Sequence, residues 1–130
     1  MWRPRWRCFL TDPAGPMNEA LFASIYVDSS ATAEETAQVV AALVGGTVSG
    51  RNVHCAWARI AIDDDYGDFE TRQRDPDDFL GWRTLLEVMP HDTASADIVV
   101  NEVRDLVRAL VARGWRVQAQ CDYEDQLADS

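Results

Sequence analysis

The chain contains no lysine, and all twelve of its basic side chains are arginine. With alanine abundant, this points to a GC-rich genome and says nothing about the fold. Cysteine is scarce, limited to Cys8, Cys55 and Cys121. Three thiols do not make a disulfide framework, so a reducing cytosol is the expected compartment. Metal-ligand spacings are missing too. There is no Cys-x-x-Cys and no His-x-x-x-His, so neither a metal nor a cofactor is expected. No apolar run approaches the roughly 20 residues of a membrane span. Arg3, Arg5 and Arg7 open the chain as in a signal peptide. However, Cys8-Phe9-Leu10 is too short an apolar core, and Asp12 and Pro13 follow at once, so no export signal is expected. A phosphate loop is absent as well, because Gly45-Gly46-Thr47-Val48-Ser49-Gly50 lacks the lysine and follows a helical stretch.

Positive charge is in short supply overall. Twelve basic residues face 22 acidic ones, for a net charge of −10. Such a field repels phosphate backbones, which argues against nucleic acid and favours basic proteins, cations or plain solubility. The 130 residues are 47% hydrophobic, enough to form one domain without a metal or disulfide.

Residues 1–18 hold Pro4, Pro13, Gly15 and Pro16 and show neither helical nor strand period. They read as an irregular extension, with Met17 as the natural start. The alternative is a basic-aromatic arm built on Trp2, Arg3, Arg5 and Trp6. Residues 19–127 read as a single domain and 128–130 as a tail.

Within the domain, Leu21, Ala23, Ile25 and Val27 alternate as in a strand. Thr32-Ala33-Glu34-Glu35 is a capping box. Ala37, Val40, Ala41 and Val44 follow at helical spacing, and Gly45-Gly46 end the helix. Ala56, Ala58, Ile60 and Ile62 mark a second strand over 53–62, although Gly50-Arg51-Asn52 offers a short hairpin turn after Val48. Trp82, Thr84, Leu86 and Val88 mark a third strand, which Pro90 stops. Thr93 or Ser95 caps a second helix with the stripe Val99, Val103, Leu106, Leu110, and Gly114 closes it. Val117, Ala119 and Cys121 alternate in a fourth strand.

The order β-α-β-β-α-β predicts an α+β, ferredoxin-like sandwich. Its four-stranded antiparallel sheet has order 4-1-3-2, with both helices on one face. In that layout the connector 63–79 lies at the end of the sheet where Asp28 and the first helix begin. The C-terminal tail lies at the other end, near Pro90.

Two stretches, DPDDFLGWRTLLEVMP at 75–90 and CDYEDQL at 121–127, resemble a group of short actinobacterial α+β proteins. There too, a polar loop runs into an aromatic strand and the last strand ends in acids. The resemblance spans about residues 20–127 and implies the fold and the source. It supplies no catalytic residues. Small acidic domains of this kind include immunity partners of bacterial toxins, an analogy of size and charge only.

The strongest anomaly is the connector. Residues 63–78 carry eight acids and two arginines, a net charge of −6. The plain reading is a solvated loop that keeps the sheet edge from sticking. The functional reading is a docking surface for a basic protein, on Asp63, Asp64, Asp65, Tyr66, Asp68 and Phe69, with rings anchoring and charges steering. Calcium is disfavoured, since Gly67 falls where a third ligand is needed. The second hypothesis is a small-ligand or enzymatic site, or a homodimer, on the uncovered sheet face. Its candidates are Tyr26, Trp57, Arg59, Trp82 and Arg83, with Leu85 beside them. Cys121 with His91 is a conceivable dyad, but an inert core thiol accounts for Cys121 more simply.

Overall fold

The computed structural model describes residues 19–64, 74, 82–123 and 127. They form two α-helices and one antiparallel six-stranded sheet. In chain order the elements are β1 (Ala23–Asp28), α1 (Ala33–Val44), β2 (Thr47–Ser49), β3 (Asn52–His54), β4 (Ala58–Asp63), β5 (Thr84–Pro90), α2 (Ala96–Ala112) and β6 (Arg116–Cys121). A 3₁₀ turn, Glu19–Leu21, precedes β1. The strands stand in the order β2-β3-β4-β5-β1-β6. No helix among the described residues is long and apolar enough to cross a membrane.

Local chemistry explains the helix boundaries. Thr32 Oγ1 accepts from the Glu35 amide at 3.1 Å, and the Glu35 carboxylate accepts from the Thr32 amide at 2.9 Å. This reciprocal pair satisfies two amides that the first helical turn would otherwise leave open. Gly45, at φ 68, ends α1 in the left-handed conformation that a side chain resists. The Ser95 side chain caps α2 by accepting from the Ile98 amide. Neither helix carries a basic residue in its last turn.

Both helices lie on the same face of the sheet. Ala37, Val40 and Ala41 of α1 and Val99, Val103, Leu106 and Leu110 of α2 share one core with Ala23, Ile25 and Val27 of β1. Ile60, Ile62, Leu86 and Val88 complete it. At about 25 cal/mol per Å² of apolar surface, this core is the main term favouring the fold.

The sheet corrects the four-strand expectation. The stretch read as one strand over 53–62 is a hairpin, β3–β4. Its turn is Ala56-Trp57, closed by the Cys55 amide on the Ala58 carbonyl at 3.0 Å. A second hairpin, β2–β3, turns at Gly50-Arg51 with Gly50 at φ 63. Glycine at the first of two turn residues matches the twist of the flanking strands. The alternation Ala56-Ala58-Ile60-Ile62 obscured the first hairpin because its turn, Ala56-Trp57, is apolar and holds no glycine, proline, asparagine or aspartate. The reversal leaves His54 and Arg59 opposite each other.

Two ionisable groups are held in their neutral forms. The Tyr123 hydroxyl donates to the Leu21 carbonyl at 2.9 Å, tying the chain after β6 to the start of β1. Burial pushes its phenol far up from 10.0, with Cys121 adding to the shift. Burial also raises the Cys55 thiol above 9.0, although the Trp57 and Ala58 backbone pulls the other way. Raised acids keep their protons longer in the folded chain than in the unfolded one. Their contribution to stability is therefore complete below pH 9.0 and is lost as pH rises beyond it. Urea denaturation from pH 7 to 11 should show a falling unfolding free energy. Tyr123→Phe together with Cys55→Ser should flatten that fall. A curve that the double variant does not alter would contradict the assignment.

Candidate functional site

Of the six residues expected in a docking loop, Asp63 and Asp64 are described, while Asp65, Tyr66, Asp68 and Phe69 lie outside the described residues. The two neighbours differ. Asp63 closes β4 opposite Leu85 of β5 and is half-buried. Asp64 is only 9% exposed, and its Oδ2 accepts from the Ala33 amide at 2.8 Å. Its Oδ1 lies 3.5 Å from the Arg51 guanidinium at the β2–β3 turn. Its backbone carbonyl accepts from Arg83 Nε at 2.7 Å. One residue thus links the first turn of α1, the hairpin and the approach to β5. The positive end of the helix dipole favours a carboxylate at that point.

This geometry puts the head of the connector at the α1 N-terminus, the end of the sheet where Asp28 also lies. It also gives Asp64 a role in the fold that the grouping with docking acids overlooked. The signal was in the sequence. Ala58, Ile60, Ile62 and Asp64 continue one period-two row, and that row faces the helices.

The five ligand-site candidates separate. Tyr26 and Arg59 lie on the sheet face opposite the helices, and Tyr26 forms a small buried cluster there with Trp82 and Leu85. Trp57 does not join them. It sits in the β3–β4 turn and packs into the helix-side core, because the turn breaks the alternation that would have sent it the other way. Arg83 is exposed and spends its Nε on Asp64, at the end of the sheet.

Three polar residues that the sequence reading passed over belong to this second face. Ser24 and Glu87 stand opposite each other in the β1–β5 register, at 0% and 5% exposure. Arg116 stacks on the Trp82 ring, 4.9 Å from its centroid, and its Nε donates to Asp28 at 2.9 Å. Arg59 reaches the Met89 sulfur at 3.7 Å. Glu87 escaped notice because it lies within Thr84–Pro90, a strand buried at all seven positions. Among the described residues, no three His, Cys, Asp or Glu side chains gather to hold a metal.

No protein-family model, curated protein or solved structure matches the chain.

The two partners of the Asp64 carboxylate should weigh differently. A buried hydrogen bond to a charged group is worth about 1.5–3 kcal/mol, whereas an ion pair to a half-exposed arginine is worth about 0–1 kcal/mol. Chemical denaturation should therefore find Asp64→Ala destabilised by about 2 kcal/mol and Arg51→Ala by less than about 1 kcal/mol. Equal losses in the two variants would mean that the ion pair, and not the helix amide, is the main contact.

Proposed function

We propose that the chain is a non-enzymatic acidic binding module for a basic protein, docking through its acid-rich connector. One observation carries this reading. Residues 63–78 hold −6 of the total −10, and that run leaves the sheet at Asp64, whose carboxylate and carbonyl are both held by the fold. A fixed origin limits the ordering entropy that docking must overcome. Asp64 is the anchor in this reading. Asp63, Asp65 and Asp68 supply steering charge, and Tyr66 and Phe69 supply apolar contact. A cytosolic, immunity-like or regulatory role fits such a module. The fold in this proposal is a ferredoxin-like core with the β2–β3 hairpin added at one edge, a reading supported by the contiguous order β4-β5-β1-β6. In the same reading the chain is a relative of short actinobacterial α+β proteins, through the stretches 75–90 and 121–127.

A second reading has its own support. Tyr26, Arg59 and Trp82 share the sheet face opposite the helices with buried Glu87. A small-ligand or enzymatic site there, or a homodimer through that face, would use arginine and carboxylate together.

The test is capture from native cytosol at low and moderate salt, with wild type and with Asp63→Arg/Asp65→Arg/Asp68→Arg. The docking reading expects a basic protein that elutes as salt rises. It also expects the charge-reversed variant to associate at least about tenfold more slowly at low salt. Equal capture by both forms would exclude the connector. A ligand-dependent melting shift abolished by Arg59→Ala would favour the second reading instead.

A further inference from the structure

The sheet's two edges differ. β2 is three residues long, a length that itself discourages further pairing. β6 is six residues long, RVQAQC, with no proline and no glycine. Its one charged residue, Arg116, is engaged by Asp28. None of its residues is buried, whereas β5 is buried at every position. β6 has no second strand beside it among the described residues.

The backbone direction at this edge follows from the pairing. The Cys55 amide bonds the Ala58 carbonyl, and the Ile62 amide bonds the Arg51 carbonyl. The even residues of β4 therefore turn their backbone groups toward β3 and the odd ones toward β5. Carried through the β4–β5, β5–β1 and β1–β6 registers, the alternation makes Ser24 bond to Gln120 and Tyr26 to Gln118. Val117 and Ala119 then point their N–H and C=O groups out of the sheet. In agreement, the Gln118 side-chain amide donates to the Ala119 carbonyl at 3.1 Å. That is a local substitute for a missing strand.

We propose that β6 is a self-pairing edge, and that two copies of this chain join β6 to β6 antiparallel about a two-fold axis at Gln118. Residues of the same parity then oppose each other, so Val117 exchanges backbone bonds with the second copy's Ala119 and the reverse. Both helical layers stay on the same side of one continuous twelve-stranded sheet. The two Gln118 side chains meet on the axis, where each amide both donates and accepts. A second copy is the occupant that the charge favours. A chain of net charge −10 repels itself except where it is neutral, and β6 beyond Arg116 is neutral. This edge is distinct from the connector and from the sheet face considered above, so its failure leaves the docking proposal standing.

Sedimentation equilibrium over a concentration series tests it. Wild type should approach twice 14.6 kDa. Ala119→Pro removes an outward N–H and no bond to β1, and should raise the dissociation constant at least tenfold. Gln118→Lys sets like charges face to face on the axis and should do the same, while its melting temperature matches wild type at dilutions where both are monomeric. Thr47→Lys, at the opposite edge, should leave the dimer intact. A monomer at the highest soluble concentration would overturn the proposal. So would a dimer that Gln118→Lys leaves unchanged.

Discussion

A buried carboxylate must find a donor, and Asp64 finds one in the Ala33 amide, 31 residues away in sequence. The first amides of a helix have no partners within it, and α1 meets its need from two sources. Thr32 and Glu35 cap each other locally, while Ala33 turns to the end of β4. The rest of that end of the molecule depends on this contact. The β2–β3 turn is drawn in through Arg51, and the entry to β5 through Arg83. The chain enters its most acidic stretch from a fixed point.

The two faces of the sheet divide the work of the fold. The helix-side face is a continuous apolar core in which β1, β4 and β5 meet both helices. The other face mixes Tyr26 and Leu85 with Ser24, Glu87 and Arg59. Polar groups held away from water restrict which neighbours satisfy them, so this face is more selective about what lies against it than an oily one. The sheet ends in one three-residue edge and one six-residue edge, and of the two only the longer offers room for a further strand.

Much of this was legible in the sequence, because the relevant forces are local. The Thr32–Glu35 box and the glycines at 45 and 114 act within a few residues and end the helices where expected. Ser95 is the cap used of the two the sequence offers, and Gly50 makes the turn that the sequence offers only as an alternative. The period-two rows of β1 and β6 identify the helix-side face, as do Leu86 and Val88 of β5, whereas Trp82, read in that same row, lies before the strand and packs on the other face with Tyr26 and Leu85. The reading failed where a turn was written in apolar residues. Cys55-Ala56-Trp57-Ala58 looks like strand, yet it reverses the chain and sends Trp57 into the core. Gly46 was read as part of a helix stop. Its other role is spatial, since a Cβ there would stand 2.8 Å from the His54 carbonyl. Asp64 was counted by charge when its row, running on from Ile62, already marked it as inward. Glu87 was hidden by apolar neighbours on both sides.

The contact between Asp64 and α1 is most directly measured by hydrogen exchange at the Ala33 amide. Amides in the first turn of a helix ordinarily exchange freely unless something outside the helix accepts from them. With Asp64 in place, the Ala33 amide should be protected, and Asp64→Ala should remove that protection while leaving the α2 amides unchanged. Exchange at the open-chain rate in the wild type would mean that Asp64 does not hold the helix, and the acidic connector would then have no fixed origin.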